Sequence, residues 1–424
     1  MGGKAFAQAA APGEPTIRIV RLDKAEYARL KTSLAAQIQS ALGPEVCVRT
    51  PVETPEKTDY GDLDFLLATN GQVDWEQLAT EIGAIAAIIH HAAMCSIAID
   101  KDGRRGEKPA TLYVRRTGPF SPDSQPPLTA QGYAQVDFEA VPTTLIEWRS
   151  FFNSYGDMVG MLARMIRNLG FTITHEGFYL RLAELERAKK RPISDLGIAD
   201  NNALLFLSRH PVQLCGFLGL SFDQYEVGFA SKNAMFAWLS GCRLLSRKAL
   251  LEKRTTSDER NRDLTRPLYA EFFDRYLPAH FAKTSTHTNV NISQWRADLA
   301  EEAARFFFKQ TEYAEQHASL SKAVRNAVAS HLMKPLVKVQ SGLADKKVTE
   351  VMRGVRRFTD VSVSGVPSVA ASAHDDANSE LHRLVAADGV SLIDEAAVSG
   401  FLRAHWEELR GRERRRIVEK SAVG

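Results

Sequence analysis

Between Tyr60 and Leu67 the chain places Leu63, Phe65 and Leu67 at every second position, with Asp62 and Asp64 on the opposite parity. That spacing predicts a strand with one apolar and one acidic face. The alternation returns in Tyr133 to Val141, where Val136 and Phe138 oppose Asp137 and Glu139. A second strand beside the first is expected there. Lys24 to Leu42 carries Tyr27, Leu30, Leu34 and Ile38 at helical spacing and stops at Gly43-Pro44, which predicts an amphipathic helix. Val46 to Arg49 predicts a short strand, and Trp75 to His91 a second helix. Met94 to Ile99 and Thr111 to Arg116 predict two strands paired as a hairpin through the turn-rich Lys101 to Gly106. The Pro- and Ser-rich stretch from Thr117 to Gln131 predicts a long loop before the Asp137 strand.

From about residue 147 the periodicity becomes helical. Tyr155, Val159, Leu162, Ile166 and Leu169 repeat at three- and four-residue steps up to Gly170, which predicts a helix with a core-facing stripe. Phe171 to Thr174 and Phe178 to Leu180 suggest a hairpin around His175-Glu176-Gly177, and Ala203 to Leu207 another strand. Thr265-Arg266-Pro267 predicts a helix start capped by Thr265, with Phe272, Phe273 and Tyr276 inward. A long helix is expected over Ile292 to Gln316, with further helices through Met352. The expected fold class is α+β, with an N-terminal mixed β-sheet domain and a mainly α-helical C-terminal region. Its parts are a disordered tail at 1–15, a catalytic-type domain at 16–146 and a mainly helical second domain at 147–320. A helical C-terminal region at 321–424 holds a low-complexity break near 361–378 and a basic tail.

Composition narrows the classes. With 424 residues and 44% apolar content, the chain is long enough for more than one globular domain. Its 54 basic against 51 acidic side chains leave a net charge of +3, so nucleic-acid binding would have to come from local patches. Cys47, Cys95, Cys215 and Cys242 lie far apart with no C-x-x-C pair, which fits an intracellular, reducing compartment, cytoplasmic or nuclear, rather than a zinc or disulfide framework. The apolar run Ile82 to Ile89 is too short to cross a bilayer. No membrane association is expected.

The acidic strand carries the chemistry. Aspartate is depleted in strands, and desolvating two carboxylates side by side raises their free energy unless a cation or a proton compensates. A metal is the expected compensation, with Asp137 as third ligand. Carboxylates suit magnesium, and a pair of such ions about 4 Å apart can clamp the attacking and leaving oxygens of an in-line phosphoryl displacement.

Asp62, Asp64 and the Gln135-Val136-Asp137 strand together resemble the polymerase-beta-like nucleotidyltransferase superfamily, whose pattern is a Gly-Ser turn, an Asp-x-Asp strand and a later strand with a third acid. Where that turn would stand, this chain has Thr50-Pro51. The resemblance implies a metal-dependent nucleotidyltransferase moving a nucleoside monophosphate from a nucleoside triphosphate, ATP among them, to a hydroxyl. The acceptor would be an RNA 3′ end, a protein side chain or a small molecule. It further implies Asp62, Asp64 and Asp137 as ligands of two Mg2+ or Mn2+ ions, Asp137 also as acceptor of the attacking hydroxyl's proton, and Thr50 at the β and γ phosphates.

Because Pro51 lacks a backbone donor, phosphate charge is sought from basic residues. Arg104 and Arg115 near the expected hairpin, and Lys248 in the basic stretch Cys242 to Arg266, are the candidate nucleotide contacts. Each segment reads equally as a solvated face. The tail Arg410 to Arg416 offers RNA binding only as a minor reading. Two other classes stay open: a catalytically inactive nucleotidyltransferase-fold binding module, and an RNA-binding or scaffold protein acting through its basic segments. The sequence leaves the oligomeric state open.

Overall fold

The computed structural model describes residues 5–8, 17–101, 112–115, 132–182, 187–188, 191–192, 194, 198–251, 266–284, 291–328, 333–361, 366–374 and 395–423. The fold class is α+β, as the hydrophobic pattern predicts. Contacts divide the chain into two compact units. The first comprises Met1–Leu169, Ile173–Phe178 and Ser208–Ile292; the second comprises Gly170–Thr172, Tyr179–Leu207 and Ser293–Gly424. Arg104, the loop at 117–131 and the stretch 252–265 lie outside the described residues.

The first unit is built on a six-stranded mixed sheet. Its members are β1 (Cys47–Arg49), β2 (Leu63–Ala68), β3 (Ala86–His91), β4 (Met94–Asp100), β5 (Tyr113–Arg115) and β6 (Tyr133–Val141). The spatial order is β1-β2-β6-β4-β3-β5. The two acidic strands, β2 and β6, are parallel neighbours at the centre. Helix α1 (Lys24–Leu42) starts at a capping box in which Asp23 accepts from the N–H groups of Ala25 and Glu26 while Glu26 accepts from the Asp23 N–H. It buries Tyr27, Leu30, Leu34 and Ile38 with Leu63, Phe65, Leu67, Val136 and Phe138, the apolar parity of the central strands.

Two expectations fail in this unit. Trp75 to His91 is not one helix: α2 (Trp75–Glu81) gives way to β3. Gly83 takes a left-handed φ of 76°, which breaks the helix, and Ala86 to Ile89 are then buried on both faces of the sheet. A strand covered on both sides is apolar at every position and loses its period of two. Consequently β4 and β5 do not form a hairpin. β3 lies between them, antiparallel to β4 and parallel to β5.

The tail expected at 1–15 is in part structured. Ala5–Gln8 form a helical turn with Phe6 2% exposed against Ala86, Ile88, Ala98 and Tyr133; residues 9–16 lie outside the described ones. After β6 come α3 (Ile146–Asn153) and α4 (Met158–Arg167). Tyr155 does not start the second of these, as the periodicity suggests, because Tyr155 and Gly156 turn left-handed at φ 59° and 63°. The Tyr155 hydroxyl is instead anchored on the Tyr225 carbonyl at 2.9 Å. The helix at 267–270 starts at Pro267, with Arg266 as an uncapped N-cap residue rather than Thr265, and Phe272 and Phe273 are buried as expected. The strands Phe171–Thr174, Gly177–Arg181 and Leu204–Ser208 form a three-stranded sheet with Gly177–Arg181 in the middle. Among the described residues, no helix is long and apolar enough to cross a membrane.

In the second unit the long helix expected at 292–316 is two, α5 (Ile292–Phe306) and α6 (Gln310–Val328). The buried stripe of α5 ends at Phe307, and Phe308, 85% exposed, turns left-handed at φ 56°. Helices α7 (Lys334–Ser341), α8 (Asp345–Arg357) and α9 (Glu395–Val423) share an apolar core through Val337, Val351, Val355, Leu402 and Leu409. The region of the expected break contains a small antiparallel pair, Thr359–Val361 with Pro367–Val369. Helices α8 and α9 meet closely at Gly354, where an added Cβ would stand 2.3 Å from the Leu409 carbonyl oxygen. Gly354→Ala is therefore expected to destabilise this unit by about 1–3 kcal/mol in urea denaturation. Gly400→Ala on α9, with no neighbouring atom within 4 Å, is the matched control and should leave stability unchanged or raise it by up to about 1 kcal/mol.

Candidate metal centre

In the parallel pairing of β2 with β6, Leu63 stands opposite Val136 and Asp64 opposite Asp137. On the other side of β6, Ser96 of β4 stands opposite Asp137. Paired residues share a face, so Asp64, Asp137 and Ser96 form a row across three strands on the face away from α1 and α2. Two apolar patches bound that row. Leu66, Ala68 and Val141 pack with Ile146 at one end, and Ala86, Ile88, Ala98 and Tyr133 pack with Phe6 at the other. Asp62, just before β2, completes a trio with ligand oxygens all within 4.8 Å of one another.

Such a trio is electrostatically unfavourable by itself. Asp64 keeps a solvent-exposed edge, yet desolvation by the surrounding chain, and then the charges of Asp62, Asp137 and Glu53, push its carboxyl up to about 7. Asp137 is pushed up to about 6, first by desolvation and then by Asp62, against hydrogen bonds from Ser96 and Gln135 that favour its charged form. A proton shared with the nearby Asp62 carboxyl would relieve this repulsion. A divalent cation supplies the same neutralisation, and an all-carboxylate oxygen set fits Mg2+ or Mn2+ in hardness.

A loop after β1 runs beside this row. Pro51 has no N–H, and the Val52 N–H is already donated to Ser154 Oγ at 2.9 Å, so the backbone there does not offer the phosphate donors of a Gly-Ser turn. Cations stand nearby instead. Lys57 Nζ contacts Glu53 Oε2 at 2.6 Å, and Glu53 accepts from the Tyr27 hydroxyl. Lys31 Nζ reaches the Pro51 carbonyl at 3.4 Å; burial lowers its pKa while Glu53 and Asp64 oppose that shift. Both ammonium groups lie over the stacked rings of Tyr27 and Tyr60, Lys31 on the first and Lys57 on the second.

The structure thus brings Asp62, Asp64 and Asp137 together, with half-buried Thr50 in the adjoining loop. Arg115 shares the sheet face but stands three strands from Asp137, since Asp137 pairs with Ser96, Ser96 with Ile88 and Ile88 with Arg115. At about 4.8 Å per strand this is about 14 Å. Lys248 is exposed on the short helix Arg247–Leu251, tied to the end of α4 by Asn168 donating to the Ala249 carbonyl at 2.6 Å. Arg104 lies outside the described residues. In the basic tail, Arg410 and Arg414 clamp Glu350 at 2.7 and 3.1 Å, and Arg416 clamps the buried Glu413 at 2.7 Å. The sequence pattern assigns no site role to Lys31, Lys57 or Ser96, and Gln135 enters it only as part of the third-acid strand, two residues before Asp137 on the same strand parity.

No family model and no curated protein matches the chain.

The raised carboxyl values fix a sign. The folded state binds more protons than the unfolded chain between the ordinary 3.8 and about 7 at Asp64, so this group costs stability progressively as pH rises through that window. The loss of thermal stability of the metal-free protein from about pH 5 to about pH 8 should therefore be smaller in Asp64→Asn than in the wild type. At about pH 8 the variant should melt higher, and Mn2+ should raise the melting temperature of the wild type only. Differential scanning fluorimetry at both pH values checks this; a variant less stable than wild type at about pH 8 without metal would contradict it.

Proposed function

We propose that this chain is a metal-dependent nucleotidyltransferase that moves a nucleoside monophosphate from a nucleoside triphosphate to a hydroxyl acceptor. The observation that carries the reading is the trio itself: carboxylates from two central parallel strands and the preceding loop, with ligand oxygens within 4.8 Å. Asp62, Asp64 and Asp137 would hold Mg2+ or Mn2+, which when bound neutralises phosphate charge and lowers the barrier to displacement. Asp137, held between Gln135 and Ser96, would take the proton of the attacking hydroxyl. The new bond joins that hydroxyl oxygen to the α-phosphorus, the α–β bridging bond breaks, and pyrophosphate leaves. Lys31 and Lys57 supply positive charge for the triphosphate where Pro51 and Val52 offer no free N–H, and Thr50 adds a hydroxyl beside them.

The test is incubation of the purified protein with each α-labelled nucleoside triphosphate, Mg2+ or Mn2+, and total RNA. Label is expected in RNA or in the protein with the wild type. Asp62→Asn/Asp64→Asn should reduce it by at least about a thousandfold, and Lys57→Ala should mainly raise KM for the nucleotide. Absence of label with every nucleotide, or equal labelling by the double variant, would overturn the enzymatic reading in favour of a binding module.

A further inference from the structure

Two buried polar side chains flank Asp137, and the chemistry proposed above gives neither a ligand role. Gln135 is 2% exposed and Ser96 3%. Gln135 donates through Nε2 to both Asp137 carboxylate oxygens, at 2.9 Å each. Its Oε1 accepts from the backbone N–H of Ala5 at 3.1 Å. These contacts fix the orientation of the amide. An ionised carboxylate only accepts and a backbone N–H only donates, so the NH2 must face Asp137 and the carbonyl must face Ala5. Ser96 holds the other side of Asp137 and contacts His90 Nε2 at 2.9 Å.

Ala5 begins the turn Ala5–Gln8, and the adjacent Phe6 is what seats that turn on the sheet, buried among Ala86, Ile88, Ala98 and Tyr133. A chain of contacts therefore runs from the apolar seat of Phe6 through a backbone N–H and a buried amide to the third acid. Repulsion among the three carboxylates favours rotation of Asp137 away from its neighbours; a neutral donor shared between both of its oxygens opposes that rotation without adding charge. Groups behind metal ligands act in this way, fixing ligand orientation before the cation arrives.

We infer that Gln135 is a positioning residue for the acid trio and that the N-terminal turn, through the Ala5 N–H and the Phe6 side chain, holds Gln135 in its working orientation. The inference rests on the reading of Asp62, Asp64 and Asp137 as a divalent-cation site. Linkage makes the effect reciprocal: a bound cation, by immobilising Asp137, also secures the N-terminal turn.

Ala5→Pro provides the sharpest probe, because proline removes only the N–H in question and its ring is accommodated at the first position of a helical turn. Mn2+ binding to the full-length protein, followed by the loss of the free-ion electron paramagnetic resonance signal, is the readout, with melting temperature recorded for every variant. Asp64→Asn should weaken Mn2+ binding by more than about a hundredfold. Gln135→Leu should weaken it by about 10- to 100-fold, and Ala5→Pro by about 3- to 10-fold, the equivalent of one hydrogen bond, with a melting temperature lowered by at most a few degrees. Ala5→Gly, which keeps the N–H, should bind within about twofold of the wild type, and saturating Mn2+ should slow amide exchange in the segment containing residues 5–8. If Gln135→Leu fails to fold, Ala5→Pro decides. Tight binding by the wild type, lost in Asp64→Asn but unchanged in Ala5→Pro, overturns the positioning role of the turn and leaves the cation site standing. If the wild type binds no Mn2+, or Asp64→Asn binds it equally, the cation site fails and the positioning role with it.

Discussion

Asp64 and Asp137 face each other across two neighbouring parallel strands, and Asp62 closes on both. Three carboxylates so placed repel one another, and the site stands only because the surrounding structure forces them together or because a proton or a cation lies among them. The forcing is visible in the packing. On the opposite parity of the same strands, Leu63, Phe65, Leu67, Val136 and Phe138 are fully engaged with α1 and α2. A one-residue slip of either strand would exchange the acidic and apolar faces, so the core that sets the register also sets the acid trio. Apolar burial on one face offsets the electrostatic cost on the other.

The rest of the site answers that cost in graded ways. Gln135 and Ser96 favour the charged form of Asp137 by hydrogen bonding. Lys57 lowers the pKa of Asp64, and Lys31 lies close enough to feel its charge. The lysines are themselves ordered by Glu53, the Pro51 carbonyl and the rings of Tyr27 and Tyr60. The loop that carries Thr50 to Lys57 is in turn stitched to the turn between α3 and α4, where Ser154 accepts from the Val52 N–H and Tyr155 donates to the Val52 carbonyl at 2.6 Å. That stitching explains the left-handed conformations of Tyr155 and Gly156: the chain reverses there to bring the Tyr155 N–H against the loop.

Part of the basic tail is engaged in ion pairs within its own unit. Around α8 and α9 the arginines surround two acids, Glu350 and Glu413, and hold the helix pair together. Arg412 reaches the carbonyl of Ala370 at 2.7 Å and ties the small strand pair to the same helix. A charge run in sequence thus becomes a set of interhelical clamps once a partner helix supplies carboxylates. Glu413, 1% exposed and met by Arg357 and Arg416, shows why such clamps are specific: a buried acid without its guanidinium partners would be strongly destabilising.

Much of the fold was legible in the order of residues, because it depends on local periodicity. The helix Lys24–Leu42 and the strand Tyr133–Val141 follow from helical spacing, alternation and the stop at Gly43, whereas the pairing of the two acidic strands is set by the sheet. The acid trio was legible for the same reason: aspartates in an apolar strand have no structural excuse, and their parity was plain. Other features belong to the tertiary structure alone. Ala86 to Ile89 became a strand because both faces of the central sheet are covered, which erases the period that would have revealed it. That insertion separated β4 from β5 and carried Arg115 three strands from Asp137. Lys31, Ser96 and the Ala5 N–H reach the site from distant parts of the chain, through sheet register and the seat of Phe6. No local pattern encodes such contacts, since the packed core alone decides which distant residues become neighbours.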